Sequence, residues 1–199
     1  MNLPNKITLT RIFMIPIFVV VFYLGGLWKY CYLIAAGVFL LAALTDALDG
    51  HIARSRNLVT NLGKFLDPIA DKVLVSTAFI VLLTVPSAFT VTPFGGAGLI
   101  TAGVCVAVIL ARELIISGFR TIAAGRNLVL AADKLGKIKT VFQDIAIALL
   151  LVSMPFIEVL AGQIIAYIAL ACFVACTLLT LISGINYIVK NKQVLKESE

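Results

Sequence analysis

Charge is scarce in this chain. Of its 199 residues only 13% are Asp, Glu, Lys or Arg, whereas 61% are apolar. A soluble domain carries about a quarter charged residues, so a soluble domain is excluded, and a nucleic-acid partner is not expected despite the net charge of +6. Histidine occurs once, as His51, and the four cysteines (Cys31, Cys105, Cys172 and Cys176) all lie in apolar segments. A zinc centre needs several such ligands grouped together, so none is expected. Cys172 and Cys176 share a helix face, but a buried free thiol ordinarily behaves as a small inert hydrophobe.

Long apolar runs take the place of charge. Runs of about 18 to 22 residues, the length a bilayer-spanning helix needs, recur along the whole chain. Breakers and hydropathy delimit six expected spans: Ile7 to Leu24, Tyr30 to His51, Pro68 to Val85, Gly98 to Phe119, Ile138 to Met154 and Gln163 to Val189. The expected fold is an all-α integral membrane protein of six transmembrane helices, forming a single domain over residues 1–199. The first run resembles a secretory signal in its flanking Lys6 and Arg11. It is followed by Tyr23, Leu24, Gly25, Gly26, Leu27 and Trp28 rather than by a small-residue cleavage site, so a retained span is expected.

Orientation follows from the cations. With the N-terminus in the cytoplasm, 15 of the 16 Lys and Arg residues fall on that side and only Lys29 falls outside, a strong positive-inside bias. Both termini are then cytoplasmic, in a multi-pass protein of the cell membrane. The outer loops are short and nearly uncharged, which assigns the active site to the cytoplasmic side of the bundle. Lys190, Lys192 and Lys196 suit a juxtamembrane anchor on an anionic leaflet, where each cation contributes about 1 kcal/mol.

Against this apolar background eight residues form a fixed grid: Asp46, Asp49, Gly50, Ala53, Arg54, Gly63, Asp67 and Asp71, spaced D-x2-D-G-x2-A-R-x8-G-x3-D-x3-D. Asp46 and Asp49 share a face of the second span, and Asp67 and Asp71 share a face of the third. Two helices can thus aim four carboxylates at one point. Such a cluster repels itself unless cations neutralise it. Hard oxygen donors favour magnesium, calcium or manganese, and four carboxylates supply enough ligands for two ions, an arrangement suited to phosphate oxygens in an in-line displacement. Gly50 and Ala53 leave the helix wall beside Asp49 almost bare, and Gly63 does the same in the following loop. Either a flat ligand or a close helix neighbour fits there. Pro68 suits a first helical turn, with Asp67 near its N-cap. His51 points about 200° around the helix from Asp49 and reads as an interfacial polar residue, so an aspartate of the grid is the better base. Arg54 either pairs with a carboxylate or phosphate or snorkels to the interface.

The grid resembles, at every defined position, the signature of the CDP-alcohol phosphotransferase family, and the six-span pattern is similar over essentially the whole chain. The resemblance implies a CDP-linked donor, two divalent cations (Mg2+ or Mn2+) held by Asp46, Asp49, Asp67 and Asp71, transfer of a substituted phosphoryl group to an alcohol with release of CMP, and Asp71 as the base. Asp49, Gly50, Ala53, Arg54 and Gly63 would face the donor. Asn5, Thr8 and Arg11, spaced by three on one helix face, would close over its nucleotide or phosphates. A homodimer is a further expectation, with the long last span as an interface.

Arg112, Arg120, Lys134, Lys137 and Lys139 gather cations at the cytoplasmic ends of the fourth and fifth spans. They suit a second phosphate and so favour an acceptor that carries its own. Arg112, Arg120, Lys137 and Lys139 are the expected ligands of that phosphate. The stretches A-R-E-L-I-I-S-G-F-R (Ala111 to Arg120), G-K-I-K-T-V-F-Q-D (Gly136 to Asp144) and L-P-N-K-I-T-L-T-R (Leu3 to Arg11) resemble the bacterial phosphatidylglycerophosphate synthase branch. That implies CDP-diacylglycerol as donor and sn-glycerol 3-phosphate as acceptor. Siblings that use inositol phosphate, or phosphatidylglycerol in cardiolipin synthesis, are the alternatives. Glu113 and Asp144 are expected to pair with nearby cations, and Ser117 and Gln143 to line the same cavity. An ion transporter would also carry intramembrane acids, but no acid in the outer halves of the spans continues a pathway.

Overall fold

The computed structural model describes residues 3–55, 61–90, 96–125 and 134–192; the side chains of residues 3–7, 46–68, 88, 90, 96, 97 and 134 lie outside the described set. The described residues form helices joined by short turns, with no strand among them. Among the described residues there are six long helices: α1 (Leu3–Leu24), α2 (Cys31–Ser55), α3 (Asn61–Leu83), α5 (Gly96–Gly125), α6 (Lys134–Ser153) and α7 (Leu160–Lys190). A single turn, α4 (Ser87–Thr90), follows α3, and a 3-10 turn over Met154–Phe156 links α6 to α7.

The surface pattern is that of a bundle solvated by lipid. Phe13, Ile17, Leu41, Leu44, Ile100, Leu114, Leu178 and Ile185 all face outward, an arrangement a water-facing protein of this size would not maintain. Inside, small side chains set the helix spacing: Ala35, Ala42, Ala78, Ala146, Ala166 and Ala169 are fully buried. In a bilayer, association rests on close packing rather than on expulsion of water, so small residues belong at the seams. Aromatic side chains fill what remains. Phe18 of α1 lies 6.2 Å from Phe39 of α2, and Phe79 of α3 lies 5.4 Å from Phe173 of α7.

Two described segments, Gly98–Gly125 and Leu160–Lys190, are long and apolar enough to cross a bilayer by themselves. At 1.5 Å per residue, α5 and α7 reach about 45 Å, well beyond a hydrocarbon core of about 30 Å. Their ends therefore project into the polar interface. Shorter apolar stretches occupy Thr8–Leu24 and Cys31–Thr45.

Several helix starts differ from the hydropathy pattern. α3 begins at Asn61, not Pro68, so Gly63 is helical rather than in a loop, and Asp67 and Pro68 lie in the helix interior rather than at a cap. Similarly, α6 begins at Lys134 rather than Ile138, and α5 continues past Phe119 to Gly125. The cause is common to all three. Hydropathy marks the part of a helix that lies in hydrocarbon, whereas backbone hydrogen bonding continues through the polar turns beyond it. A proline within a membrane helix is tolerated where neighbours re-satisfy the freed carbonyl.

One glycine fixes the turn into α7. A Cβ placed on Gly162 would lie 1.9 Å from the Phe156 carbonyl oxygen, whereas one on Gly103 of α5 meets nothing within 4 Å. Gly162→Ala should therefore destabilise the protein by about 1–3 kcal/mol, while Gly103→Ala should be neutral or mildly stabilising. Thermal unfolding in detergent checks both. Equal transitions for the two variants would contradict this packing.

Candidate active site

Polar side chains inside an apolar bundle are costly, so their positions identify where the fold invests in chemistry. Among the described residues the buried polar side chains are Thr8 and Arg11 on α1, Lys139, Gln143 and Ser153 on α6, and Thr177, Thr180 and Ser183 on α7, with Ser153 at the far end of α6 from the others on that helix. A cavity of about 260 Å³ opens where α3 and α6 begin and α5 and α7 end. Asp71 and Lys72 of α3 form one wall. Arg112, Glu113, Ser117 and Arg120 of α5 form the second, and Gly136, Lys137, Lys139 and Thr140 of α6 the third. Tyr187 of α7 closes it. A recess of about 20 Å³ continues between α3, α5 and α6 as far as Gln143.

Glu113 is the electrostatic hub. It accepts a hydrogen bond from Arg112 Nη1 at 3.0 Å and is ion-paired with Lys139, whose side chain is only 4% exposed. Arg112 Nη2 in turn donates to Ser183 Oγ at 3.0 Å, so one carboxylate joins α5 to α6 and, through arginine, to α7. The stem of Arg112 crosses Gly184: a Cβ there would lie 3.0 Å from Arg112 Cγ. Eight residues further along α5, Arg120 Nε donates to Tyr187 Oη at 3.1 Å, and its guanidinium carbon sits 5.3 Å from the centre of the Tyr187 ring.

Most of the predicted residues that the structure describes converge on this cavity. Asp71, Arg112, Arg120, Lys137 and Lys139 share it, Ser117 lines it, and Gln143 lines its recess. Glu113 pairs with neighbouring cations, as its position in an apolar helix demands. Thr8 and Arg11 are buried on α1. Asp46, Asp49, Gly50, His51, Ala53 and Arg54 lie on α2, Gly63 and Asp67 on α3, Asn5 on α1 and Lys134 on α6, with side chains outside the described residues. Lys196 is outside them altogether. Among the described residues no group of three or more metal-ligating side chains occurs, and of the four grid aspartates only Asp71 belongs to that set.

Residues 1–178 match the sequence profile of the family described as CDP-alcohol phosphatidyltransferase. The chain belongs to this family. It is 42% identical to the CDP-diacylglycerol--glycerol-3-phosphate 3-phosphatidyltransferase of Bacillus subtilis, an alignment covering 99% of this chain and 98% of that protein. Proteins of the same name from Salmonella paratyphi A and Rickettsia felis are 38% and 34% identical, each alignment covering 94% of this chain and 93% of the relative. The family assignment makes the chain a transferase and gives the cavity its context, since a phosphatidyltransferase must accommodate phosphate groups at a lipid surface.

Lys72, Thr140 and Tyr187 line the cavity without having been singled out by sequence. Lys72 was signalled only by adjacency to Asp71. A tyrosine in the last turns of a membrane helix reads as an ordinary interfacial residue, and only the fold sets it beside Arg120.

If Glu113 is the hub, Glu113→Gln leaves the nearly buried Lys139 without a counter-charge and should cost on the order of 3 kcal/mol. Adding Lys139→Met should recover most of that loss. Thermal melts of the single and double variants in detergent decide it: additive losses, or an unchanged single variant, would remove Glu113 from this role.

Proposed function

We propose that this phosphatidyltransferase moves the phosphatidyl group of CDP-diacylglycerol to sn-glycerol 3-phosphate, giving phosphatidylglycerophosphate and CMP, a step of phospholipid biosynthesis. The names of relatives aligned over almost the whole chain support the reaction. The observation that carries the acceptor is the cavity itself, in which Asp71 shares one pocket with Arg112, Arg120, Lys137 and Lys139. An acceptor with its own phosphate finds cations there.

The protein is read as a single domain crossing the cell membrane six times, with both termini and the cavity on the cytoplasmic side. The positive-inside bias supports that orientation. Asp46, Asp49, Asp67 and Asp71 are the proposed holders of two divalent cations, Mg2+ or Mn2+. The donor set fits hard cations: it is carboxylate oxygen only, on two helices that pack together, with Asp71 on the cavity wall. Bound there, such ions supply charge neutralisation for the donor pyrophosphate and for the departing phosphate oxygen.

The remaining steps belong to side chains of this chain. Asn5, Thr8 and Arg11 cover the nucleotide end of the donor, while Gly50, Ala53 and Gly63 let its phosphates approach the backbone and Arg54 offers them charge. Arg120 and Lys137 hold the acceptor phosphate by charge-assisted hydrogen bonds, and Arg112 and Lys139, lining the same cavity, add positive charge to the site. Asp71 takes the proton from the free primary hydroxyl of glycerol phosphate. The oxygen attacks the phosphorus that bears diacylglycerol, and the bond from that phosphorus to the phosphate oxygen of CMP breaks.

The purified protein in detergent, given CDP-diacylglycerol and magnesium, should release CMP with sn-glycerol 3-phosphate and not with inositol phosphate, phosphatidylglycerol or no acceptor. Release with another acceptor would move the function to a sibling of the family. Asp71→Asn should lower turnover by at least a hundredfold, in the range that removal of a general base produces, and EDTA should silence the wild type until magnesium or manganese is returned. Turnover that persists in Asp71→Asn would overturn the base assignment.

A further inference from the structure

The cations around the cavity are not equally available to a ligand. Arg112 has spent one terminal nitrogen on Glu113 and the other on Ser183, and Lys139 is ion-paired to the same Glu113. Arg120 is held differently. Among the described residues its hydrogen-bonded nitrogen is Nε, which donates to Tyr187 Oη at 3.1 Å, and the Tyr187 ring lies under the guanidinium at 5.3 Å. Among the described residues, both terminal nitrogens of Arg120 lack a protein partner, and they are the pair that forms a planar fork matching two phosphate oxygens. Tyr187 is itself immobilised: it is 2% exposed, and its ring meets Phe119 edge-on at 6.1 Å.

From this geometry we propose that Tyr187 is a positioning residue that sets acceptor selectivity, by holding Arg120 through Nε and from below so that its terminal fork faces the acceptor phosphate. The inference rests on the acceptor reading above and adds a division of labour. One helical turn of α7 sorts the two arginines of α5. Ser183 ties Arg112 into the structural network with Glu113, while Tyr187 anchors Arg120 by the one nitrogen that a bidentate phosphate contact does not need. Arginine with an unconstrained side chain would lose rotamer freedom on binding, and a pre-set fork avoids most of that loss.

The test is a steady-state comparison of Tyr187→Phe, Tyr187→Leu, Arg120→Ala and the double variant Tyr187→Phe/Arg120→Ala, varying sn-glycerol 3-phosphate and CDP-diacylglycerol separately. Tyr187→Phe keeps the ring and loses the hydroxyl. It should raise KM for glycerol phosphate roughly tenfold, as loss of one hydrogen bond to a charged group does, with kcat and donor KM within about twofold of wild type. Tyr187→Leu should raise acceptor KM further. In the Arg120→Ala background the Tyr187→Phe change should have no additional effect, because its only route to the acceptor has gone. Unchanged acceptor KM in Tyr187→Phe, additivity with Arg120→Ala, or an equal fall in kcat and in affinity for both substrates would overturn the proposal. Wild-type activity that does not depend on glycerol phosphate would instead sink the acceptor reading, an outcome visible before any variant is assayed.

Discussion

An ionised carboxylate inside an apolar bundle must be neutralised where it stands, and Glu113 shows how much structure follows from that requirement. Its two counter-ions come from different helices, Arg112 from α5 and Lys139 from α6, and Arg112 continues to Ser183 on α7. Three helices that lipid would not otherwise press together are thereby tied at one end. Packing of small residues along the seams holds the rest of the bundle. The ion pairs add a directional tie at one end, next to the cavity.

The cavity itself is a product of helix length. α5 and α7, at about 45 Å, are longer than a hydrocarbon core of about 30 Å, and the cavity lies beside their last turns. α3 and α6 enter at the same end and bring Asp71 and Lys137 to it.

Much of this was legible in the sequence. The cluster of Arg112, Arg120, Lys137 and Lys139 pointed to one end of the bundle, where these side chains line one cavity with Asp71, because a charge in an apolar helix is too costly to persist without a partner or a ligand. The family resemblance, carried by the eight-residue grid, agrees with the profile match over residues 1–178. Helix starts were not legible: Asn61 and Lys134 begin helices in polar turns that a hydropathy scan assigns to loops. Nor was the pairing of Ser183 with Arg112 or of Tyr187 with Arg120, contacts across 71 and 67 residues. A serine and a tyrosine near the end of an apolar helix carry no periodic signal of their partners, which only tertiary packing supplies.

Everything proposed for the acceptor requires its phosphate to bind in the cavity beside Asp71. Lysine footprinting reads that out, since Lys137 lines the cavity whereas Lys29 and Lys190 are exposed elsewhere. Modification by an amine-reactive reagent is followed by mass spectrometry at increasing sn-glycerol 3-phosphate. Selective, saturable protection of Lys137, with Lys29 and Lys190 unchanged, is the expected result. Equal modification of all three lysines with and without glycerol phosphate would contradict binding at this site.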